Sequence, residues 1–332
     1  MPGSKVEPTE RLSNATPGCS SVVVQEKHTG AWLLGRNYDL DVNSNGTTVV
    51  IRTAPQGGYK SVGVADMAQL GLSAKRFAQD RELLLYAPYV TMDGVNEKGF
   101  AISIMLLGQA RVVQNDSNKD SLPSSLLVRY LLDKADSVKN AITLLEKLNL
   151  KPDYLLNTRQ IQDVFGDHVA FHWALTDASG DRAVIEYVNG RINVIQNPVH
   201  VAYDEANYNI AISRPERAKP YLISTNFYLS KEIHTNVVDP DSGLWRYATL
   251  EKKLEANARP SKNELAAMMR SAKFLLNDFD MKMGLKREYK DPNDSKNWEW
   301  MTIWTGIFDT REKSLNLFFK EDFAREYNFA IQ

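Results

Sequence analysis

The chain has 332 residues with a formal net charge of −1, and 43% of the residues are hydrophobic. This apolar content is enough for a substantial core, and the near-zero charge gives no electrostatic basis for binding nucleic acid. The longest uncharged apolar run covers residues 99–110, which is too short to span a bilayer, so the sequence predicts a soluble protein without a membrane span.

The first half of the chain is predicted to be mostly β-structure. Residues 1–18 are polar and rich in Pro, Gly and Ser/Thr, which indicates an N-terminal tail or pro-segment ahead of a single domain over residues 19–332. Strands are expected from Ser20 onwards, with hairpin turns where Gly and Asn cluster. The predicted elements are strands at 20–24, 31–34, 47–52, 83–90 and 100–106, with turns at 28–30 and 93–99.

The second half alternates helices and strands. One helix is predicted to start near Pro123, and another to open at Ser261 with a capping-box partner at Glu264. The remaining predictions are helices at 138–145 and 244–254, and strands at 168–176, 183–188, 221–224, 302–308 and 315–319. Because hairpin turns outnumber βαβ crossovers, the pattern favours antiparallel sheets with helices packed on them, an α+β layered domain.

Cys19 is the only cysteine, so it cannot form an intrachain disulfide. Most free cysteines are small buried hydrophobic residues. Its position after Gly18 and at a strand start favours a nucleophile, because one peptide cleavage would place a free α-amine beside the thiol. An α-amine has a reference pKa of about 8 and can serve as a general base near neutral pH.

Arg36 and Asp39 follow Cys19 by 17 and 20 positions (36 − 19 and 39 − 19). Two strands joined by a tight hairpin would return Arg36 to the side of Cys19, where its charge could stabilise a thiolate. Asp39 could accept a hydrogen bond from the α-amine. An ion pair at a solvated strand end is an equally good interpretation of these two residues.

Three further polar residues are candidates for the site: Asn96 in a predicted turn, Asn226 at the end of a predicted strand and Arg246 on a predicted helix. Asn96 and Asn226 are candidate oxyanion donors, although a turn residue and a strand cap explain them as well. Arg246 lies on a predicted helix, where a surface arginine is the simpler interpretation. His168 and His172 lack a carboxylate or cysteine to complete a metal site. The chain has no Gly-x-Ser-x-Gly, P-loop or Gly-x-Gly-x-x-Gly motif, so neither a metal nor an organic cofactor is expected.

Taken together, these segments resemble the choloylglycine hydrolase and penicillin V acylase family of cysteine N-terminal nucleophile (Ntn) hydrolases. The segments that carry the resemblance, in the family's order, are Cys19 with its strand, Gly35–Asp39, Asp93–Phe100, Thr176–Gly180, Thr225–Phe227 and Gly243–Tyr247. The resemblance implies a four-layer αββα sandwich and hydrolysis of the linear amide of a small N-acyl substrate. It also implies a homo-oligomer, and it leaves the compartment open between a bacterial cytoplasm and export with a leader removed.

The resemblance also implies roles for individual residues. Cys19 would be nucleophile and base, Arg36 and Asp39 would flank it, and Arg246 would support the site. Asn96 and Asn226 would line the oxyanion hole. The segment 196–204 also resembles the approach to that asparagine but ends in Asp204, whose anionic side chain cannot donate a hydrogen bond. Asn226 is therefore preferred.

Two other functions remain open from the sequence. An acyltransferase would use the same thioester, and a non-catalytic binding protein would keep the fold with Cys19 as a core residue. The substrate is not identified, and bile-salt conjugates, penicillin V and acyl homoserine lactones all fit. Four apolar residues near the motifs could line an acyl pocket, with core packing favoured for the last two: Tyr38, Met92, Met105 and Leu106.

Overall fold

The computed structural model describes most of the chain from Gly18 to Ile331. The described residues are 18–41, 46–70, 72, 74–107, 116–151, 170–188, 191–196, 199–204, 209–213, 218–230, 243–273, 288–290 and 297–331. The predicted tail at residues 1–17 and the predicted strand start at His168 lie outside this set.

The described elements are mainly strands. In chain order the strands are β1 Cys19–Gln25, β2 Trp32–Asp41, β3 Thr48–Thr53, β4 Ser61–Asp66, β5 Thr91–Asn96, β6 Ala101–Leu107, β7 Asp120–Pro123, β8 Leu148–Lys151, β9 Ala170–Thr176, β10 Arg182–Val188, β11 Arg191–Ile195, β12 His200–Asp204, β13 Asn209–Ser213, β14 Leu222–Ser224, β15 Glu288–Lys290, β16 Asn297–Asp309, β17 Ser314–Phe319 and β18 Tyr327–Ala330. The α-helices are α1 Ala74–Gln79, α2 Leu127–Lys134, α3 Val138–Leu145, α4 Leu244–Ala256 and α5 Lys262–Ser271. Segments of 3₁₀ helix cover Met67–Leu70, Arg81–Val90 and Ser124–Leu126.

Two seven-stranded sheets organise the fold. The first has the order β14-β1-β2-β16-β17-β18, with β15 also paired to β16, and the second has the order β11-β10-β9-β6-β5-β4-β3. The strand pairs within both sheets are antiparallel. The predicted α+β class with antiparallel sheets is confirmed.

The two sheets face each other, with helices on their outer sides. Strands β1 and β2 contact β6, helix α2 contacts β5 and β6, and helices α4 and α5 contact the strands of the first sheet. The inward-facing side chains of both sheets belong to one hydrophobic cluster. The layers are therefore helix, sheet, sheet and helix, and the site described below lies where β1 and β2 meet β5 and β6.

The hairpin between β1 and β2 has a clear local cause. Gly30 adopts a φ of +69°, which favours glycine, and Glu26 accepts hydrogen bonds from the backbone N–H groups of His28 and Thr29. The turn expected at residues 28–30 is thus present. It returns β2 alongside β1 in the register that pairs Cys19 with Tyr38.

The strand predicted at residues 83–90 is wrong, because Arg81–Val90 is 3₁₀ helix. Asp80 caps this segment by accepting a hydrogen bond from the Glu82 N–H, and Pro88 has no N–H to give to a sheet ladder. Strands β4 and β5 pair directly with each other, so the intervening chain does not enter the sheet. The apolar residues that suggested a strand include Leu85 and Tyr86, which are exposed.

Two boundaries also differ from the sequence predictions. Pro123 ends β7, which pairs in parallel with β8, and the α-helix begins only at Leu127. The turn expected over residues 93–99 is shorter, because Asp93 to Asn96 belong to β5. Asp93 is therefore a buried strand residue rather than a turn residue.

Candidate active site

Cys19 is the first residue of β1, opposite Tyr38 of β2. Because side chains alternate along a strand, Arg36 and Tyr38 share the face of β2 on which Cys19 lies. That face looks across to the second sheet, where Arg36 binds Asp93. Asp39 lies on the opposite face, towards helix α4. The hairpin thus places different groups around the thiol and around the backbone nitrogen of Cys19.

The thiol lies beside a completely buried arginine. The Nε of Arg36 donates to Asp93 Oδ1 at 3.0 Å, and its Nη2 donates to the carbonyl of Ile104 at 2.7 Å. Trp304 Nε1 donates to the other oxygen of Asp93 at 3.1 Å. Arg36 also interacts with the Cys19 thiol. The guanidinium is therefore held in one orientation, with its charge available to a thiolate.

The charges around Arg36 keep it protonated. Burial lowers the pKa of Arg36, but electrostatic interactions and hydrogen bonds with Asp93 and Cys19 outweigh that effect, so the pKa of Arg36 is raised. Burial raises the pKa of Asp93, and the Arg36 charge opposes that rise. Removing either partner would leave an uncompensated buried charge, which typically destabilises a protein by about 3–5 kcal/mol.

The backbone nitrogen of Cys19 has its own set of partners. In the chain as described this nitrogen is a peptide N–H, and it stands in for the α-amine that cleavage after Gly18 would release. It donates to Asn226 Oδ1 at 2.6 Å. The same oxygen accepts a hydrogen bond from Arg246 Nη2 at 2.8 Å, and Arg246 Nη1 binds Asp39 Oδ2 at 2.6 Å.

Asp39 completes this network from the neighbouring strand. Its second oxygen accepts a hydrogen bond from Thr302 Oγ1 at 2.6 Å, and Thr302 is its direct neighbour on β16. Burial raises the pKa of Asp39, while Arg246 and Thr302 oppose the rise. Asp39 therefore holds Arg246, and Arg246 holds Asn226 against the Cys19 nitrogen.

This arrangement changes one sequence prediction. Asp39 was expected to accept the hydrogen bond from the α-amine, but among the described residues the acceptor is Asn226. The Nδ2 of Asn226 donates to the carbonyl of Leu106 at 2.7 Å, which uses one of its two hydrogens. Its position supports the preference for Asn226 over Asp204, which lies on β12 in a separate two-stranded sheet.

Asn96 is placed elsewhere. Its Nδ2 donates to the carbonyls of Leu132 and Ala135, and its Oδ1 accepts from the N–H groups of Lys98 and Phe100. Both amide hydrogens are therefore used to join the β5–β6 turn to the end of helix α2. The expectation that Asn96 lines an oxyanion hole does not fit this placement, and the turn interpretation explains the residue.

Gly18 leaves no room for a side chain. A Cβ at this position would lie 2.0 Å from Arg246 Nη1 and 2.9 Å from Asp39 Oδ2. The carbonyl oxygen of Gly18 accepts a hydrogen bond from the Asp39 N–H at 2.9 Å. The peptide bond before Cys19 is thus fixed against the same residues that surround the Cys19 nitrogen.

A cavity opens next to the thiol. It encloses about 390 Å³, part of it open to solvent. Its described walls are Cys19, Arg36, Tyr38, Asp39, Leu40, Gln69, Met92, Ile104, Leu106 and Phe171. Tyr38, Met92 and Leu106 thus line the cavity, and Leu106 is also part of the hydrophobic core, as favoured from the sequence. Met105 instead accepts hydrogen bonds from the hydroxyls of Ser21 and Ser224, within the core.

Several site residues escaped the sequence analysis. Asp93 was assigned to a turn, and Thr302 pairs with Asp39 across 263 positions of sequence. Gln69 and Phe171 reach the cavity from β4–α1 and from β9. No local pattern links these residues to Cys19, because long-range strand pairing brings them together.

A second group of titratable residues lies away from Cys19. His200, Glu251 and Glu255 lie close enough together to share an ion. Lys219 Nζ already binds Glu251 at 2.6 Å and Glu255 at 3.1 Å, so an ammonium group balances these carboxylates. Within the described part of the chain, no helix is both long and apolar enough to cross a bilayer.

The sequence matches one protein-family model and is similar to two curated proteins. The model of the linear amide C–N hydrolases, choloylglycine hydrolase family, matches residues 19–219. A penicillin V acylase of Pectobacterium atrosepticum is 26% identical over 182 residues, which is 49% of this chain and 46% of the acylase. An uncharacterized protein of Paramecium bursaria Chlorella virus 1 is 24% identical over 229 residues, covering 68% of this chain and 78% of the viral protein.

The fold also matches a solved structure. A variant of the conjugated bile acid hydrolase from Clostridium perfringens aligns with a TM-score of 0.57 at 14% identity, covering 94% of this chain and 92% of that chain. At this identity the likeness concerns the fold, which is the sandwich described above.

Proposed function

The chain belongs to the choloylglycine hydrolase family of linear amide C–N hydrolases, and on that premise we propose that it cleaves the amide bond of an N-acyl substrate through a Cys19 thioester, after removal of residues 1–18. The observation that supports this proposal most directly is that polar side chains from several elements meet at both the sulfur and the nitrogen of Cys19. Arg36 reaches its sulfur, and Asn226, supported by Arg246 and Asp39, reaches its nitrogen.

The first proposed step is cleavage of the peptide bond before Cys19. The thiol attacks the carbonyl carbon of Gly18, the C–N bond breaks, and the acyl group moves from nitrogen to sulfur. Water then hydrolyses this thioester, which releases residues 1–18 as a carboxylic acid and leaves a free α-amine and thiol. The Asp39 N–H, 2.9 Å from the Gly18 oxygen, is positioned to stabilise the charge that develops there.

The mature site then acts on the substrate. The α-amine takes the thiol proton, and the thiolate attacks the amide carbonyl to form a tetrahedral intermediate. The ammonium returns the proton to the leaving amine, the C–N bond breaks and an acyl-thioester remains. Water hydrolyses the thioester, which releases the carboxylic acid and restores the thiol.

The surrounding residues have distinct parts in this mechanism. The Arg36 charge favours the thiolate over the thiol. The Asn226 Oδ1 orients the amine, and its second Nδ2 hydrogen is the candidate oxyanion donor. Loss of one such donor typically lowers the rate by about 10²–10³. In amide hydrolysis Arg246 and the Asp39 side chain are positioning groups, because they hold Asn226 and do not touch the reacting atoms.

The proposal is tested by a panel of N-acyl amides with wild type, Cys19→Ser and Ser20→Ala. The panel covers aryl, fatty acyl and steroid acyl groups. Wild type should hydrolyse at least one class, and Cys19→Ser should lose that activity by at least about 10³-fold. Ser20→Ala is the matched control, because the neighbouring hydroxyl has no partner among the described residues.

Two results would overturn the proposal. One is a Cys19→Ser protein that retains turnover. The other is a wild-type thiol that stays unreactive towards iodoacetamide until the protein unfolds, as expected for a non-catalytic binding protein. Adding amine acceptors to the same assay separates hydrolysis from acyl transfer, because a transferase would yield a new amide instead of the free acid.

A further inference from the structure

The cavity beside Cys19 has one polar side chain whose role the proposed mechanism does not explain. Gln69 lies in the 3₁₀ segment Met67–Leu70 that follows β4, and it is buried with an exposed fraction of 5%. It lines the cavity together with Met92, Ile104 and Phe171. Burial of an amide is unfavourable unless its polar atoms have partners.

The orientation of this amide is fixed by its neighbours. Gln69 Nε2 donates to the hydroxyl of Tyr38 at 2.8 Å, and this hydroxyl donates to Asp66 Oδ2 at 3.0 Å. The other oxygen of Asp66 accepts from Thr47 Oγ1 at 2.8 Å and from the Ala68 N–H at 3.0 Å. Because Asp66 can only accept when ionised, the chain of donors runs one way and Nε2 must face Tyr38.

The carbonyl oxygen of Gln69 has no hydrogen-bond partner among the described residues. No described residue donates to Oε1, and this atom is not among the sealed side-chain atoms that lack a hydrogen bond. It is therefore an acceptor that is open to accessible space in a residue that lines the cavity.

The other polar groups of the wall are already occupied. Asp39 accepts from Arg246 and Thr302, and Arg36 donates to Asp93 and to two backbone carbonyls. The Tyr38 hydroxyl both donates and accepts. Among the described side chains of this wall, Gln69 Oε1 thus differs from the Asp39 carboxylate and the Tyr38 hydroxyl in being an acceptor that has no hydrogen bond.

We propose that Gln69 Oε1 accepts a hydrogen bond from a hydroxyl on the acyl group, so that the site selects N-acyl amides whose acyl part is hydroxylated. This inference rests on the proposed amide hydrolysis. A neutral hydroxyl suits this acceptor because the carboxylate of the described wall, Asp39, is already paired with Arg246 and is not free to balance a charged donor. An unsubstituted acyl chain would cover Oε1 and leave this acceptor unsatisfied.

The first test measures kcat/KM for a series of p-nitroanilides. The substrates are the p-nitroanilides of hexanoic acid and of its 2-, 3-, 4- and 5-hydroxy derivatives. Each is assayed with wild type, Gln69→Met and Gln79→Met. One hydroxy isomer should exceed the hexanoyl substrate by about ten-fold in wild type, the worth of one hydrogen bond. Gln69→Met should bring that ratio close to one.

Gln79→Met makes the same substitution on an exposed glutamine of helix α1, and its ratio should equal that of wild type. A thermal melt of each variant establishes that it is folded. The proposal is overturned if no hydroxy isomer is preferred by wild type, or if the preference survives Gln69→Met.

The second test separates this inference from the proposed function. The free hexanoic and hydroxyhexanoic acids are titrated into the full-length protein by calorimetry, which requires no turnover. Tighter binding of one hydroxy acid, lost in Gln69→Met, supports the role of Gln69 even if no amide is hydrolysed, an outcome that would defeat the proposed function alone. Equal binding of all the acids would overturn the role of Gln69 even if amides are hydrolysed.

Discussion

Two residues of β2, Arg36 and Asp39, lie on opposite faces of the strand and reach different atoms of Cys19. Arg36 serves the sulfur from the side of the second sheet, and Asp39 serves the nitrogen indirectly through Arg246 and Asn226. This division follows from strand alternation, because residues 36 and 39 lie three positions apart and must point in opposite directions. A hairpin can therefore surround one cysteine, here the proposed nucleophile, with two independent hydrogen-bond networks.

At this scale Thr302→Val tests the state of Asp39. Burial raises the pKa of Asp39, and the hydrogen bond from the Thr302 hydroxyl opposes that rise. Removing the hydroxyl should therefore raise the pKa of Asp39 further. Asp39 in its ionised form, paired with Arg246, loses a charge-assisted hydrogen bond in the variant, which should cost about 1.5–3 kcal/mol of unfolding free energy. As the pH falls through the raised pKa of Asp39 in the variant, this cost should shrink.

Urea unfolding at a series of pH values measures this effect, with Thr305→Val as the control. Thr305 lies on the same strand and donates to Asn37, which does not titrate. Its cost should stay constant over the same pH range. A Thr302→Val cost that does not change with pH would contradict the assigned role of Asp39.

The sequence pointed to Arg36 and Asp39 by spacing and to Asn226 and Arg246 by family resemblance, but it missed Asp93 and Thr302 for a physical reason. Arg36 and Asp39 are tied to Cys19 by a short hairpin, so spacing alone suggested their proximity. Asp93 and Thr302 belong to strands whose pairing is long-range, so no local signal marked them. Asn96 was misplaced in the site because a catalytic asparagine and a turn asparagine look alike in sequence.

At the scale of elements, the N-terminal ends of helices α4 and α5 offer a matched comparison. Gly243 caps α4 with a φ of +79°, and a Cβ there would lie 2.5 Å from Arg246 Nη2. Ser261 caps α5 in a capping box with Glu264. Replacing either residue by alanine should destabilise its helix end by about 1 kcal/mol, through strain in one case and loss of a cap in the other.

Only the first of these substitutions should affect turnover. Gly243→Ala displaces Arg246, and with it Asn226, so kcat should fall by at least about ten-fold. Ser261→Ala leaves that network untouched, and turnover of the folded protein should be preserved. Unfolding curves and kcat on the same preparations check both statements, and an equal loss of kcat in both variants would refute the positioning role of Arg246.

Element types were easier to predict than their boundaries. The capping box at Ser261 and Glu264 and the turn at residues 28–30 are present because they depend on neighbouring residues alone. The segment 81–90 is rich in apolar residues, yet the cap at Asp80 and the missing N–H of Pro88 favour 3₁₀ helix. Helical structure does begin directly after Pro123, but as the 3₁₀ segment Ser124–Leu126, and the α-helix follows from Leu127.

At the scale of the whole molecule, the fold presents the Gly18–Cys19 peptide to groups contributed by both halves of the chain. Gly18→Ala tests this arrangement, because the added methyl group would collide with Arg246 and Asp39. Removal of residues 1–18 should slow by at least about ten-fold, as monitored by gel shift after expression. A chain that starts at Cys19 is the control and should match the activity of the processed wild type.

The antiparallel sheets could be predicted from the sequence, but the contacts that bring the candidate site residues together could not. Antiparallel sheets follow from the many hairpin turns. In contrast, Asn226 reaches Cys19 because β14 pairs with the far side of β1, and Arg246 reaches it because α4 packs on that sheet. Topology, which no local pattern encodes, makes these two residues neighbours of position 19.

The most direct test of the whole account is intact-mass analysis and turnover measured on the same purified sample. The account predicts that every molecule able to hydrolyse an N-acyl amide has the mass of residues 19–332, and that protein retaining residues 1–18 is inactive. Full turnover by a chain that still begins at Met1 would contradict it.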